Sequence, residues 1–363
     1  MKPLLLHEFH HGLGARFSEL NSSEIVADYK DWTAEYKALR ETAAILDFSF
    51  RGRICLLGND RIRFLHGQIT NDVKKIPVGE GCYSALTTGK GKMESDLNVF
   101  NLPDELLLDF EPGLTETISQ RLEKFIVADD VQIVDAAPHY GLLSVQGPQA
   151  AQVISLVGLG NQALEKERAI QKISDPALGD IYLANQPRFS RPGFDVFVPA
   201  NSLGAVADKL IAAAKKTGGS ICGWTAFETA RIEAGVPRFG VDMNATNLPM
   251  ECGIEKSAMN FNKGCYIGQE VLNRVHTMGH VTKELRGLRL AGDLKALPQN
   301  GDKLFHNGKE IGYVTSAIKS PALDANITLG YVRREANQIG TELALRTASG
   351  EISARIVELP FVK

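Results

Sequence analysis

Asn262-Lys263-Gly264-Cys265-Tyr266-Ile267-Gly268-Gln269-Glu270 brings more kinds of chemical group into one short span than any other part of the chain. A cysteine stands between two glycines. A lysine precedes it, and an amide and a carboxylate follow. If a helix begins at Tyr266 or Ile267 and runs to about Val275, Cys265 lies at its N-terminus. The helix dipole and Lys263 then favour a thiolate. Gly264 and Gly268 permit close approach of a partner, or backbone angles that other residues avoid. Such a thiolate can act as a nucleophile, a redox-sensitive group or a transient metal ligand. The plainer alternative is a buried cysteine in a glycine-flanked turn, and spacing alone leans that way.

Around this stretch lies a chain of 363 residues, more than one typical core, so two or three domains are expected. With 44% hydrophobic and 23% charged residues it has the composition of an ordinary globular protein. The net charge of −3 gives no electrostatic argument for nucleic acid or an anionic membrane. No apolar run approaches the roughly 20 residues needed to cross a bilayer. The opening Leu4-Leu5-Leu6 is too short for a signal-peptide core, which points to the cytoplasm. The cysteines, Cys55, Cys82, Cys222, Cys252 and Cys265, are odd in number and scattered, without a Cys-x-x-Cys. A disulfide framework or zinc ribbon does not follow from them.

Working back from the cysteine stretch, Trp224–Ala234 reads as a helix stopped by Gly235 and Pro237, and a helix capped by Asn201 runs to about Lys216. Phe194–Val198 and Leu142–Val145 are strands, and Pro148 suits the first turn of a helix to about Leu156. The segment 158–180 is polar and poorly patterned, so surface helix and loop are expected. Between Gly52 and Asp135 short strands alternate with helices: Arg53–Leu57, Gly81–Thr87, Leu97–Asn101, Leu106–Phe110 and Val131–Val134 against 59–66 and Leu114–Phe125. That order suggests an antiparallel α+β layer and not a doubly wound sheet. Residues 21–46 read as one helix, with Ile25, Tyr29, Trp32, Tyr36, Leu39 and Ala43 on one face.

Forward of the stretch the pattern changes. Leu285–Leu290, Lys303–His306, Lys309–Ile318, Thr328–Arg333, Glu342–Thr347 and Ile352–Val357 are short strands. Asn307-Gly308 and Ser349-Gly350 mark hairpin turns. This is a compact all-β domain of barrel type. The expected organisation is an N-terminal helical segment (1–50), two α+β domains (51–140 and 141–280) and the barrel (281–363).

Other candidate groups are weaker. Asp96 follows Gly89-Lys90-Gly91-Lys92 and precedes a strand. It can polarise an amine or take a proton, or it simply meets solvent at a strand entry. The glycine-lysine turn lacks Walker spacing, and no Rossmann fingerprint occurs. His276 and His280 have helical zinc spacing, but Met278-Gly279 between them disfavours a helix. Arg231 is either a solvated or weakly paired charge or a fork holding a carboxylate.

Lys263-Gly264-Cys265-Tyr266-Ile267-Gly268-Gln269-Glu270 resembles the hallmark of the YgfZ-type family, within the aminomethyltransferase superfamily whose best-known enzyme is the glycine-cleavage T-protein. Phe64–Val73, Gly79–Leu86 with Tyr83, Val145–Pro148, Arg231–Gly235 and Leu248–Glu251 are similar to further blocks of that superfamily, in its order. The resemblance implies a three-domain cloverleaf around a central folate-sized channel, with the C-terminal β-barrel as third domain. It implies tetrahydrofolate binding and support of iron–sulfur cluster assembly or repair, with iron–sulfur proteins or assembly factors as clients and a monomer as the default. By motif match Cys265 is the functional cysteine, Lys263 and Gln269 its neighbours, and Tyr83 and Arg231 folate contacts. The rival implication is a folate-dependent aminomethyl or methyl transferase using Asp96. Two departures bear on it. T-proteins carry paired aspartates of which the first does the chemistry, and here the pair reads Ser95-Asp96. T-proteins also place a pterin-binding glutamate before Gly-Phe/Tyr, and here Arg191 stands near that place.

Overall fold

Asn21 and Ser22 take left-handed backbone angles, with φ of +46° and +63°, and so break the first expected helix at its start. The structure, a computed structural model, describes every residue except 161–163, 190–191, 293, 295 and 363. Arg16–Leu20 (β1) and Ser23–Asp28 (β2) form an antiparallel pair across that turn. The helix α2 runs only over Trp32–Glu41, after α1 at His7–Gly12. Asp31 caps α2 by accepting from the Ala34 amide at 3.1 Å. Ala44–Asp47 is a strand, β3. The apolar spacing in 21–46 is therefore shared by two strands and a helix, each buried on its own terms.

The described residues divide into two compact units. The first comprises Met1–Gln68, Asp72–Ser84 and Leu97–Ala230. One of its sheets is built on β4 (Gly52–Leu57), β5 (Glu80–Thr87), β6 (Met93–Asn101), β7 (Leu106–Phe110) and β8 (Gln132–Asp135), in the order β5-β6-β7-β4-β8. Helices α3 (Arg61–Gln68) and α4 (Thr115–Glu123) belong with it. The other sheet uses β9 (Tyr140–Gln146), β10 (Ile170–Asp175), β11 (Gly179–Asn185), β12 (Gly193–Pro199) and β13 (Ser220–Ile221) with β3, in the order β10-β11-β12-β9-β3-β13. Among the described pairs of this sheet, β3 and β13 run parallel and the others antiparallel.

Helices α5 (Ala150–Val157) and α6 (Leu203–Lys216) cover this second sheet. On α6, Leu203, Val206, Leu210 and Ile211 are buried at helical spacing. They close one core with Leu143, Val145, Val196 and Val198 of the sheet. Asn201 does not cap α6: a short 3₁₀ turn at Ala200–Ser202 leads into it. The stretch 158–180, expected as helix and loop, supplies β10 and the start of β11. Its alternating exposed and half-buried positions are those of an edge strand, whose polar face hides the hydrophobic pattern. Helix α7 (Trp224–Glu233) begins in this unit.

The second unit comprises Ile69–Asn71, Ala85–Asp96 and Arg231–Lys363. It holds the short helix α8 (Glu255–Ala258) and α9 (Gln269–Met278). Six strands, β14 (Lys283–Leu290), β15 (Lys303–His306), β16 (Lys309–Ser320), β17 (Ala325–Arg333), β18 (Glu342–Thr347) and β19 (Gly350–Val357), close a barrel in the order β14-β17-β16-β15-β18-β19. Leu288, Leu304, Val314, Val332, Leu345 and Ile356 fill it. The Asn307-Gly308 turn has φ of +50° and +79° between the paired His306 and Lys309, the two-residue turn that a twisted hairpin requires. The second turn falls on Ala348-Ser349, because Thr347 pairs with Gly350. No described helix is long and apolar enough to cross a membrane.

Candidate functional site

Lys263 is buried, and its ammonium donates to the carbonyls of Ile69 (2.6 Å) and Asn71 (2.8 Å). It also lies 4.8 Å from the centre of the Tyr266 ring. Between those two carbonyls, Thr70 donates through Oγ1 to Ala258 O at 2.7 Å and receives the Ala85 amide at 3.0 Å. The Asn260 amide donates to Thr70 O. The Ile-Thr-Asn segment and the start of the cysteine stretch, far apart in sequence, are thus laced together in the second unit. A buried ammonium is tolerated because fixed carbonyl dipoles take its donors.

Gly268 completes the turn. It has φ of +91°, and a Cβ there would sit 2.6 Å from Thr88 O. Thr87 Oγ1 donates to Ile267 O at 2.8 Å in the same place. Only glycine fits, because both the angle and the space exclude a side chain. The helix α9 then starts at Gln269, later than the sequence suggested. Cys265 therefore precedes the N-cap Gly268 and is not on the first turn. Cys265 is, however, the one exposed cysteine of the five. The alternative of a buried cysteine is thereby excluded. Gln269 opens α9, and its Nε2 reaches Lys263 O only at 3.5 Å.

Cys55, Cys222 and Cys252 are buried, and burial pushes each thiol up, Cys252 to about 12. Cys252 Sγ lies 3.1 Å from Tyr331 OH and 3.8 Å from Met93 Sδ. After burial, the Tyr331 hydrogen bond and the Glu251 and Lys283 charges, the carboxylate of Asp96 also acts on that thiol. Asp96 itself is half-buried on β6. Along Met93–Leu97 the buried residues are Met93, Ser95 and Leu97, while Glu94 and Asp96 are half-buried. Successive strand residues face opposite ways, so Asp96 presents its carboxylate on the face away from the Ser95 hydroxyl. Ser95 Oγ donates to the Asp96 carbonyl at 2.9 Å. No register slip places the acid where the serine stands.

Arg231, only 2% exposed, does hold a carboxylate, and it belongs to this chain. Its Nη1 pairs with Asp242 Oδ2 and donates to Val236 O at 3.1 Å, and Nη2 donates to Ser316 Oγ at 3.0 Å. Asp242 Oδ1 accepts from Thr315 Oγ1 (2.6 Å) and Ser316 Oγ (2.7 Å), and Oδ2 accepts the Arg238 amide (3.1 Å). This knot ties the end of α7 to β16 inside the second unit, which is a structural use of the arginine. His276 of α9 pairs with Glu255 at 2.8 Å and stacks on Phe261.

The first unit carries a second polar cluster. Tyr83 is half-buried, and the Arg168 guanidinium lies 5.6 Å from its ring centre. Arg168 Nε donates to Asn98 Oδ1 at 3.3 Å, and Gln186 Nε2 donates to the same oxygen at 3.2 Å. Asn98 Nδ2 donates to Asp109 Oδ2 at 3.1 Å. Asp109 is also gripped in bidentate fashion by Arg51, at 2.7 and 3.1 Å, and by Arg188 at 3.2 Å. Burial alone would raise the Asp109 carboxyl, but Arg188 and Arg51 outweigh it and bring it down to about 2. Asp195, which pairs with Arg188 and accepts from Ser144 at 2.7 Å, is instead pushed up by burial. Asn98, Gln186 and Arg188 carried no sequence signal, since isolated amides and arginines have no motif of their own. Arg191, noted for standing near the place of an expected glutamate, lies outside the described residues.

The family model described as "GCVT N-terminal domain" matches residues 6–263, and that described as "Glycine cleavage T-protein C-terminal barrel domain" matches residues 283–363. Among curated relatives, an aminomethyltransferase of Lysinibacillus sphaericus is 28% identical over 367 residues, covering 100% of this chain and 98% of its own. One of Bacillus subtilis is 26% identical over 365 residues, covering 100% and 99%. The crystal structure of glycine cleavage system aminomethyltransferase T from Bartonella henselae superposes with a TM-score of 0.89 at 24% identity, covering 99% of this chain and 98% of that one. The chain belongs to the glycine-cleavage T-protein family, and its fold is the T-protein fold with a closed C-terminal barrel.

Proposed function

We propose that this protein is a folate-dependent transferase that passes one carbon from an aminomethyl or N-methyl donor to tetrahydrofolate, the donor's C–N bond breaking as the bond to a folate nitrogen forms. The observation that carries this reading is the match of relatives named aminomethyltransferase along 99–100% of the chain. Asp96 is the carboxylate assigned to the chemistry, acting from its own face of β6 and not from the place where the family's first aspartate stands. Half-buried, it is shielded enough to act strongly on a neighbouring amine and open enough to meet one. A carboxylate beside the amine favours its protonated form, and a protonated amine leaves a carbon more readily than a neutral one. Ser95 contributes no acid, and its hydroxyl is turned to the backbone.

Tetrahydrofolate, when bound, supplies the nitrogen that accepts the carbon. Residues of the first unit fit such a ligand: a half-buried tyrosine ring, Tyr83, beside a cluster of amides and arginines. Lys263 and Arg231 are assigned structural roles, because carbonyls and Asp242 take their charges. Gln269 is read as part of the turn that positions α9.

A second reading keeps the finer YgfZ-type assignment, an accessory role in iron–sulfur cluster assembly or repair acting through Cys265. The octapeptide and the exposed thiol support it. The matched family models and the relatives named above carry the glycine-cleavage transferase name and not an iron–sulfur one, so the balance falls on the transferase. The test is transfer of isotopic label from a small N-methyl or aminomethyl donor to tetrahydrofolate by purified protein. Label in the folate pool supports the transferase. Absence of transfer, with loss of iron–sulfur enzyme activity in cells expressing Cys265→Ala, would move the assignment to the second reading.

A further inference from the structure

Gln186 is 4% exposed, yet its side-chain carbonyl oxygen has no hydrogen-bond donor among the described residues. Each of its other polar groups has a partner. The backbone amide donates to Gly193 O at 2.9 Å, the backbone carbonyl accepts from Gln146 Nε2 at 3.0 Å, and Nε2 donates to Asn98 Oδ1. Rotating the amide does not solve the problem. Asn98 Nδ2 is committed to Asp109, so Asn98 presents its oxygen to Gln186, and Arg168 Nε donates to that oxygen as well. A flipped Gln186 would set oxygen against oxygen. Buried acceptors are nearly always satisfied, and leaving one unmade is costly. The oxygen is therefore held, by a relay from Asp109 through Asn98, in a fixed direction and in want of an N–H.

We propose that Gln186 reads the ligand of this protein, accepting through Oε1 a hydrogen bond from an amino or ring N–H on the edge of a heteroaromatic ring. The inference rests on the folate reading, in which that ring is the pterin, whose edge carries an exocyclic amino group and a ring N–H. Asn98 acts as the positioning residue. Its own amide is oriented by Asp109, and it fixes the rotamer of Gln186 without touching the ligand. The recognition is by a neutral amide, so it selects for a donor pattern and not for ligand charge.

The test is a calorimetric titration of wild type and Gln186→Met with tetrahydrofolate and, separately, with p-aminobenzoyl-glutamate, which lacks the pterin. Methionine keeps the volume and removes the acceptor. Tetrahydrofolate should bind the variant roughly 5- to 100-fold more weakly, the loss of one hydrogen bond at a site built for it, while p-aminobenzoyl-glutamate affinity stays unchanged. Equal loss for both ligands would mean a merely structural residue and overturn the proposal. Unchanged tetrahydrofolate affinity would show that the oxygen serves a buried water and overturn it too. If Gln186→Met fails to fold, wild type is titrated with 5,8-dideazafolate and its 2-desamino counterpart. The same loss for the desamino compound supports the proposal, and equal affinity overturns it. A wild type that binds no folate at all overturns the folate reading, and this inference with it.

Discussion

Removing Arg231 separates a fold role from a ligand role. In Arg231→Met the carboxylate of Asp242, 0% exposed, loses its ion-pair partner. Breaking a buried pair from one side costs about 3–5 kcal/mol, because the remaining charge stays desolvated. Here Thr315, Ser316 and the Arg238 amide still donate to Asp242, which puts that part near the lower end. Val236 O and Ser316 Oγ each lose a hydrogen bond from Arg231, at about 1 kcal/mol apiece. The sum is about 4–5 kcal/mol, felt in the unit that contains the barrel. Urea unfolding followed by far-UV circular dichroism reads it as a lower midpoint for that unit's transition. Adding Asp242→Asn should recover a large part of the loss, because no charge is then left buried, and the double-mutant cycle gives the coupling. Folate affinity of the folded variant should stay within about threefold. A midpoint change worth under about 0.5 kcal/mol, together with a tenfold loss of folate affinity, would show Arg231 to be a ligand contact and refute the assignment.

Three further outcomes follow from the geometry. Under native conditions a thiol reagent should modify Cys265 quickly and Cys55, Cys222 and Cys252 only on unfolding, read by mass spectrometry of the labelled peptides; rapid native labelling of Cys252 would contradict the packing around it. Gly268→Ala should destabilise by at least about 2 kcal/mol, from a left-handed angle unsuited to a side chain and a Cβ pressed on Thr88 O, and a stable alanine variant would show that the turn can reshape. The Asp109 carboxyl, held at about 2 when folded against about 4 when unfolded, stabilises the fold above pH 4 and loses that contribution as pH falls from about 4 to about 2. About 1.6 kcal/mol of acid sensitivity between pH 5 and pH 2.5 should therefore vanish in Asp109→Asn, measured by urea midpoints at those two pH values; an equally steep acid limb in the variant would place the titration elsewhere.

Much of the architecture was legible because it follows from period and punctuation. The Leu106–Phe110 and Lys303–His306 strands fall where the sequence set them, and Asn307-Gly308 makes the turn its residue types demand. The 21–46 segment misled because a helical spacing of apolar residues also arises when a strand buried on both faces precedes a short helix. What breaks it, the left-handed Asn21-Ser22 turn, is a weak signal in residues that also cap helices. The cysteine stretch was legible as unusual, but its mechanics were not. Spacing could not show that Lys263 spends its charge on the Ile69 and Asn71 carbonyls, nor that Gly268 serves the approach of Thr88. Those partners lie well over a hundred residues away in sequence, and contacts of that range leave no local trace. Arg231 was legible only as one of two alternatives, a solvated charge or a carboxylate holder, and the carboxylate it holds, Asp242, had no motif to announce it. Gln186 was invisible for the same reason: what marks it is a missing donor, which only the folded structure reveals.

The transferase assignment is decided by label transfer measured side by side in wild type, Asp96→Asn and Cys265→Ala, from an aminomethyl or N-methyl donor to tetrahydrofolate. The account predicts transfer by wild type and Cys265→Ala at like rates, and a loss of about 100-fold or more in Asp96→Asn with folate binding retained. Transfer that survives in Asp96→Asn and disappears in Cys265→Ala, or no transfer by the wild type, would contradict it.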